Sequence, residues 1–311
     1  MNSPRVRGRR KKTITLFIAF PVALMIVGFG TSLWLTRPAT NLALYSESLI
    51  SHLDPSYCSN YKWAEFGASR GAGMMWVKEL FDIDAIGIDI DEQKVLACQQ
   101  LGGSCLVGDF TAPNVPDNCF SVVSMMHVLE HLPSRALGVK AIESSMRIAS
   151  DIVLFRGPLW NTKRFEGSHL GLYFSNWSGH LSKFDLGDLL KGVVNSGKAA
   201  TLKAYAIYPV HSSNSSDVVP INERSRNSQG YHPDMGPKSD LLYNPPILKE
   251  LLVVIDMNES PDTSGLVIRQ QLDDYIKTYL IEKKGGILIG EYTPADGINY
   301  TRDFQNTMLE N

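Results

Sequence analysis

The fold is decided by the stretch Glu65-Phe-Gly-Ala-Ser-Arg-Gly-Ala-Gly73, which is followed by Ala85-Ile-Gly-Ile-Asp89 and by Cys105-Leu-Val-Gly-Asp109. Each stretch carries an acid, Glu65, Asp89 or Asp109, where an apolar run ends, and the acids are spaced by about twenty residues. That spacing fits a strand, a tight turn, a helix and the return to the next strand of a parallel sheet. We therefore expect the three acids at one sheet edge, where a ligand with a cation and several hydroxyl groups would bind.

Regular alternation of strand-like and helix-like segments extends over most of the chain. Strands are predicted at 62–67, 85–89, 104–108, 120–127, 151–156, 201–208 and 251–255, and helices at 73–81, 92–101, 134–149, 185–194 and 264–284. Such β-α-β alternation predicts an α/β fold, a Rossmann-like, doubly wound and mostly parallel sheet of about seven strands. The predicted domain spans 61–260 and includes a surface loop at 211–246, and a C-terminal helix and a Gly-rich tail occupy 261–311.

The N-terminal region is predicted to be a membrane anchor. Residues 1–12 are basic, residues 13–36 contain no charged side chain, and residues 37–60 form a connector. A helix over 13–36 would be roughly 36 Å long, enough to cross a hydrocarbon core of about 30 Å. The alternative is a cleaved signal peptide, but the apolar region of a signal peptide is only about 7–15 residues long, shorter than the run at 13–36. The sequence therefore favours one transmembrane helix, a single-pass signal anchor, ahead of the folded domain.

Charge bias predicts the orientation of this anchor. Six basic residues precede the span and one follows it, which places the N-terminus in the cytoplasm and the large domain on the luminal side. Four N-glycosylation sequons, beginning at residues 176, 214, 258 and 299, also fit a luminal domain. The four cysteines show no C-x-x-C spacing and are expected to be buried thiols rather than a disulfide framework.

The body of the chain is acidic. Residues 1–37 hold seven of the 30 basic residues and none of the 32 acidic ones, so residues 38–311 carry a net charge of −9. Such a body would repel a phosphate backbone, and nucleic acid is not expected as a partner.

The ordered motifs resemble a known family. Glu65-Phe-Gly-Ala-Ser-Arg-Gly71, Gly87-Ile-Asp-Ile-Asp91, Gly108-Asp-Phe110, Asp117-Asn-Cys-Phe-Ser-Val-Val123 and His127-Val-Leu-Glu-His-Leu132 look like those of class I S-adenosylmethionine-dependent methyltransferases, especially the "type 11" group, over residues 60–200. The resemblance implies that S-adenosylmethionine is the cofactor. Two positions depart from the pattern: Ser69 replaces a common glycine, and Ser121 stands where an acid often follows the phenylalanine.

The resemblance also assigns roles. Glu65 with the turn Gly67, Ser69 and Gly71 would hold the methionine end of the cofactor. Asp89 would bind the two ribose hydroxyls, because a carboxylate can accept hydrogen bonds from both at once. Asp109 and Phe110 would bind adenine, and His127 would lie beside the cofactor at the end of the fourth strand.

Some features of the sequence suggest other chemistries. His127-Val-Leu-Glu-His131 matches an H-x-x-E-H zinc pattern, but it is expected at a strand-to-loop junction before Pro133, so no metal is predicted. An NAD(P)-dependent oxidoreductase would need the pattern G-x-G-x-x-G in the turn after the first strand, which this chain lacks. In such an enzyme the third acid, Asp109, would have no role. Tyr279-Leu-Ile-Glu-Lys283 matches a short-chain dehydrogenase pair only by coincidence.

Acceptor chemistry is less well defined by the sequence. Methyl transfer needs mainly proximity and orientation, with a base only when the acceptor must lose a proton. His180 and His131 are the candidate catalytic residues, with His169 less favoured, and Tyr173, Phe174 and Trp177 either line an acceptor pocket or cover the sheet edge. The expected acceptor is a small molecule or a glycan-like compound, in the Golgi lumen if the source is eukaryotic. A cofactor-binding but catalytically inactive interaction module at the membrane is the alternative.

Overall fold

The computed structural model describes residues 56–160, 163–257 and 263–301. These residues belong to one unit, which spans 42–311. The predicted basic tail, the predicted span and most of the connector lie outside the described residues. Within the described ranges, no helix is both long enough and apolar enough to cross a bilayer.

The helices and strands alternate as the spacing of the acids predicts. The strands are β1 Trp63–Phe66, β2 Ala85–Asp89, β3 Ser104–Val107, β4 Phe120–Met126, β5 Ala149–Pro158, β6 Leu170–Leu172, β7 Thr201–Ser212, β8 Val218–Pro220, β9 Leu242–Asp256, β10 Ile287–Thr293 and β11 Gly297–Tyr300. The α-helices are α1 Ser56–Asn60, α2 Ala72–Phe81, α3 Glu92–Gln100, α4 Arg135–Ile148, α5 Tyr173–Asn176, α6 Leu186–Ser196 and α7 Thr263–Tyr275, and a π-helix continues α7 over Ile276–Lys283. Short 3₁₀ turns occur at Leu129–His131, Lys163–Phe165, Glu223–Asn227 and Pro233–Met235.

One sheet organises the domain, in the order β11-β10-β7-β9-β5-β4-β1-β2-β3. Strands β3, β2, β1, β4 and β5 are mutually parallel. Strand β9 runs antiparallel between β5 and β7, and β10 and β11 extend the sheet in antiparallel fashion beyond β7. Because β1, β2 and β4 are neighbours, their carboxyl ends meet at one edge.

Burial on both faces explains why the central strands are apolar throughout. All four residues of β1 and all five of β2 are buried, as expected for parallel strands covered by helices. Helix α4 contributes a buried stripe to one of the two main core clusters, and α7 contributes to the other. The sheet edge that carries the acids is therefore held by a rigid scaffold.

Two expectations, the number of strands and the loop at 211–246, are corrected by the structure. The main sheet has nine strands among the described residues rather than about seven, because the predicted Gly-rich tail forms the β10–β11 hairpin. The predicted loop 211–246 contains β8, two 3₁₀ turns and the first residues of β9. Its apolar side chains pack in a small third core cluster, which is why this segment is ordered.

The cysteines also differ from expectation, since all four are disulfide-bonded. Cys58 on α1 pairs with Cys119 just before β4, and Cys98 on α3 pairs with Cys105 on β3. The Cα–Cα distances are 4.8 Å and 6.2 Å, within the range that a disulfide spans. The expectation of buried thiols was wrong because the pairs are brought together by the fold rather than by a local motif.

Candidate functional site

A tight turn joins β1 to α2 and forms the first half of the site. The Gly67 N–H donates to the Ile88 carbonyl at 2.7 Å, and the Ser69 N–H donates to Asp89 Oδ2 at 2.8 Å. Gly67 has a φ of 67°, and a Cβ there would collide with the Val128 side chain. Glycine is therefore needed at this position, and it couples the turn directly to the loop after β4.

Ser69 and Gly71 complete the turn with backbone in the left-handed region. Ser69 has a φ of 51°, and Gly71, the N-cap of α2, has a φ of 87°. No side chain caps the N-terminus of α2. The free N–H groups at such a helix start favour a polar or anionic ligand.

Glu65 is buried beneath this turn, with only 2% of its surface exposed. Burial raises the pKa of its carboxyl to about 8. Its Oε2 has no hydrogen-bond partner, and a Cβ at Gly73 would collide with the carboxylate. A buried, unpaired carboxyl group is costly unless something pairs with it, so Glu65 fits a cationic group such as the ammonium of a methionine moiety.

Asp89 ends β2 and is only 6% exposed. Its Oδ2 accepts from Ser69 N–H and its Oδ1 accepts from Asp91 N–H at 2.9 Å. Each oxygen retains a lone pair, so the carboxylate can still accept from two vicinal hydroxyl groups. Asp89 thus fixes the glycine turn and remains suited to a ribose.

Asp109 and Phe110 follow β3 at the same edge. Asp109 Oδ1 accepts from the N–H and the hydroxyl of Thr111, at 2.9 and 2.7 Å. Phe110 is 5% exposed and stacks on Phe66, with ring centroids 5.3 Å apart. The second carboxylate oxygen and the small exposed part of Phe110 are what an adenine could contact.

His127, at the end of β4, lies between two acids. Its Nδ1 is 3.4 Å from Glu130 Oε1 and its Nε2 is 3.5 Å from Glu250 Oε2, while Arg156 Nε donates to Glu250 Oε2 at 2.6 Å. Burial opposes a charge on His127, but the two carboxylates outweigh it and raise its pKa to about 9. Burial likewise opposes a charge on Glu250, and its hydrogen bond to His127 and the charge of Arg156 lower its pKa to about 2. At neutral pH His127 is therefore a cation and cannot act as a base.

A cavity of about 320 Å³ opens next to His127 and forms the second half of the site. It is lined by His127, Glu130, His131, Pro158, Tyr173, Phe174, Trp177, His180, Gln229 and Glu250. The structure thus brings the two candidate catalytic histidines together, with ring centroids 4.9 Å apart. Since Val128, the neighbour of His127, packs on Gly67, the cavity adjoins the glycine turn.

The aromatic residues of this cavity have distinct positions. Trp177 packs edge-on against both His131 and His180, at 5.6 and 4.7 Å between centroids. Tyr173 lines the cavity, and burial raises the pKa of its hydroxyl to about 12. Phe174 is buried and contacts Trp160. All three aromatic residues therefore line the cavity, and their role towards a methyl acceptor stays a prediction.

His180 is suited to proton transfer, because burial lowers its pKa below the ordinary value. Its Nδ1 donates to the Phe174 carbonyl at 2.9 Å, which fixes the tautomer and leaves Nε2 as the acceptor. His169 is not among the residues that line the cavity.

Sequence reasoning missed several residues of the site. Glu130 and Glu250 are buried acids, Arg156 is a partly buried cation bonded to Glu250, and Gln229 comes from the segment expected to be a surface loop. Only Glu130 had a local signal, as the acid within the H-x-x-E-H pattern. Arg156 and Glu250 meet because β9 pairs with β5, which no local pattern indicates.

Comparison with known proteins agrees with the methyltransferase resemblance. Residues 64–149, just over a quarter of the chain, match the Methyltransf_11 family model, described as a methyltransferase domain. No curated protein is significantly similar in sequence to the chain. The match confirms the methyltransferase resemblance for this segment and indicates S-adenosylmethionine as the cofactor.

Solved structures with a similar fold include several methyltransferases. The YcgJ protein of Bacillus subtilis is 13% identical, with a TM-score of 0.43 and coverage of 65% of this chain and 93% of its own. A possible histamine N-methyltransferase of Thermotoga maritima is 11% identical, with a TM-score of 0.39 and coverage of 65% and 88%. Magnesium protoporphyrin IX methyltransferase of Synechocystis, with bound SAH, is 11% identical, with a TM-score of 0.38 and coverage of 63% and 74%. At these scores the similarities carry no conclusion about the acceptor.

Proposed function

We propose that the protein is a class I, type 11-like methyltransferase that transfers the methyl group of S-adenosylmethionine to a small or glycan-like acceptor. One observation carries the proposal: the turn after β1, with its buried acids Glu65 and Asp89, adjoins a polar and aromatic cavity through the contact of Gly67 with Val128. A donor position and an acceptor position next to each other are what methyl transfer requires.

The residues present fit the cofactor. Glu65 would hold the methionine end with the turn at Gly67, Ser69 and Gly71, and its unpaired Oε2 supports this role. Asp89 would accept from the ribose hydroxyls. Asp109 and Phe110 would contact adenine. His127 would lie beside the cofactor as a cation. When bound, the cofactor supplies an electrophilic methyl group.

The protein's own contribution to the reaction is positioning and proton transfer. Tyr173, Trp177 and Gln229 line the cavity and would orient the acceptor. His180, neutral at pH 7 because burial lowers its pKa, would accept a proton from an acceptor hydroxyl. His131 packs against His180 and would act with it.

We further propose a luminal location behind the N-terminal anchor at 13–36. The charge bias of the sequence supports this orientation. The two disulfides also support it, because disulfides persist in oxidising compartments and are rare in the cytosol. Protease protection in sealed vesicles tests the orientation: the domain is expected to resist protease until detergent is added, and degradation in intact vesicles would contradict the proposal.

Methyl transfer itself is tested with the purified full-length chain and S-adenosylmethionine labelled in the methyl group, incubated with fractionated small-molecule and glycan extracts. The proposal expects label in an acceptor fraction and loss of that label in His180→Ala. Cofactor binding without any methyl transfer would instead favour the catalytically inactive interaction module. Binding of NAD(P) in place of S-adenosylmethionine would favour the oxidoreductase.

A further inference from the structure

Three side chains at one wall of the cavity form a cluster with the composition of a metal site. One ligand atom each from Glu130, His131 and His180 lies within 4.8 Å of the others. Atoms that bind one Zn²⁺ tetrahedrally lie about 3.4 Å apart, given metal–ligand bonds of about 2.1 Å. The three groups can therefore close on one ion through small side-chain movements.

Glu130 provides the first independent indication of a ligand. Its residue surface is only 1% exposed, and neither carboxylate oxygen has a hydrogen-bond partner. His127 Nδ1 is near Oε1, at 3.4 Å, which leaves Oε2 without a neighbouring cation. Arg156, the other cation next to these acids, is bonded to Glu250 instead. A buried carboxylate oxygen in the state of Oε2 needs a cation or a donor.

The two histidines provide the second indication, through their hydrogen bonds. His131 Nδ1 donates to the Gly179 carbonyl and His180 Nδ1 donates to the Phe174 carbonyl, each at 2.9 Å. A carbonyl can only accept, so both protons sit on Nδ1 and both Nε2 atoms carry a lone pair. Histidines that bind metals almost always donate their other ring nitrogen in this way, which fixes the tautomer and the ring orientation.

Backbone hydrogen bonds hold the three side chains close to one another. The Glu130 carbonyl accepts from the N–H groups of Leu181 and Ser182, at 2.8 and 3.1 Å, so the segment that carries His180 is tied to the turn that carries Glu130. Trp177 packs against both imidazoles. The H-x-x-E-H pattern is thus used differently from its zinc-peptidase form, because His180 replaces His127 in the cluster.

We propose that Glu130, His131 and His180 bind one divalent transition-metal ion, with Zn²⁺ the best match to two imidazoles and a carboxylate. Three protein ligands leave an open coordination position, as in catalytic zinc sites. That position opens on the cavity and would take a hydroxyl or carboxylate oxygen of the acceptor; because the metal then occupies His180 Nε2, a bound hydroxyl would be made acidic by the metal and would lose its proton to water rather than to His180. Only this last point rests on the proposed function.

The test is a titration of the metal-free full-length chain with Zn²⁺, followed by calorimetry, and with Co²⁺, followed by its visible absorption. Binding of one ion per chain is expected. Glu130→Gln keeps the shape and the backbone bonds of residue 130 and should weaken binding by more than roughly 100-fold, beyond the 10–100-fold loss typical of residues that only support a ligand. His180→Ala should do the same, and His211→Ala, outside the cavity, should bind as the wild type does.

Unchanged Zn²⁺ affinity in both Glu130→Gln and His180→Ala would overturn the proposal, as would the absence of saturable binding to the wild type. Circular dichroism of each variant separates loss of a ligand from loss of the fold. S-adenosylmethionine binding is measured on the same samples. A chain that binds cofactor but not metal refutes the metal site alone, and a chain that binds metal but not cofactor refutes the methyltransferase alone.

Discussion

Replacement of Glu65 by glutamine should change how the stability of the protein depends on pH. The carboxyl has an ordinary pKa of 4.5 and burial raises it to about 8 in the folded chain. Between these values the folded state holds a proton that the unfolded state has lost, so stability falls as pH rises. Glutamine has nearly the same shape and no proton to lose.

The size of the effect follows from the shift. Each unit of pKa difference corresponds to 1.36 kcal/mol, so ionisation of Glu65 costs about 3 kcal/mol of stability at pH 7 and about 5 kcal/mol above pH 8. Below pH 4.5 the carboxyl is protonated in both states and contributes no pH dependence. The free-energy difference between Glu65→Gln and the wild type should therefore grow between pH 5 and pH 8.

Urea unfolding at pH 5, 6, 7 and 8, without cofactor, measures this difference. Subtracting the unfolding free energies of the two proteins at each pH cancels the titration of every other group. A packing change caused by glutamine shifts this difference by a constant and does not alter its slope against pH. Parallel pH profiles would refute the argument that Glu65 is a buried, unpaired carboxyl. Asp91→Asn, at a partly exposed helix N-cap, serves as a control for removal of an acid at the same sheet edge.

Further predictions concern the disulfide, the second buried acid and the candidate base. Replacement of Cys58 and Cys119 by serine opens a loop of 61 residues and should lower the free energy of unfolding by roughly 4 kcal/mol in urea titrations; a change below about 1 kcal/mol would contradict the pairing. The pKa of Glu250 is lowered from 4.5 to about 2 in the folded chain, so its ionised form stabilises the fold by about 3 kcal/mol above pH 4.5, and this stability is lost as pH falls towards 2. The difference in unfolding free energy between the wild type and Glu250→Gln should therefore become smaller between pH 5 and pH 3. A difference that does not change with pH would refute the ion-pair account. His180→Ala should reduce methyl transfer by roughly 100-fold or more with cofactor affinity unchanged, whereas His169→Ala should retain activity; equal activity in both variants would remove His180 from the mechanism.

The donor half of the site could be predicted from the sequence because its signals are local. Glu65, Asp89 and Asp109 each stand where a strand ends, and the turn between β1 and α2 requires glycine at 67 for steric reasons. Strand alternation then places these positions at one edge without knowledge of distant contacts. The structure confirms that placement, and the assigned cofactor contacts remain predictions.

The acceptor half depends on contacts between distant segments and could not be predicted in the same way. Glu250 reaches His127 because β9 inserts antiparallel between β5 and β7. His180 reaches His131 because backbone N–H groups after it bond to the Glu130 carbonyl. The pairing of Cys58 with Cys119 likewise spans 61 residues. Hydrophobic periodicity indicates which residues are buried, but not which distant charges meet.

Calorimetric titration of the purified full-length chain with S-adenosylmethionine tests the central claim most directly. We expect saturable binding of one cofactor per chain that is lost in Asp89→Ala and retained in Asp91→Ala, since Asp89 fixes the Ser69 turn and would accept hydrogen bonds from the ribose hydroxyls. Absence of binding to the folded wild type, or equal binding by Asp89→Ala, would contradict it.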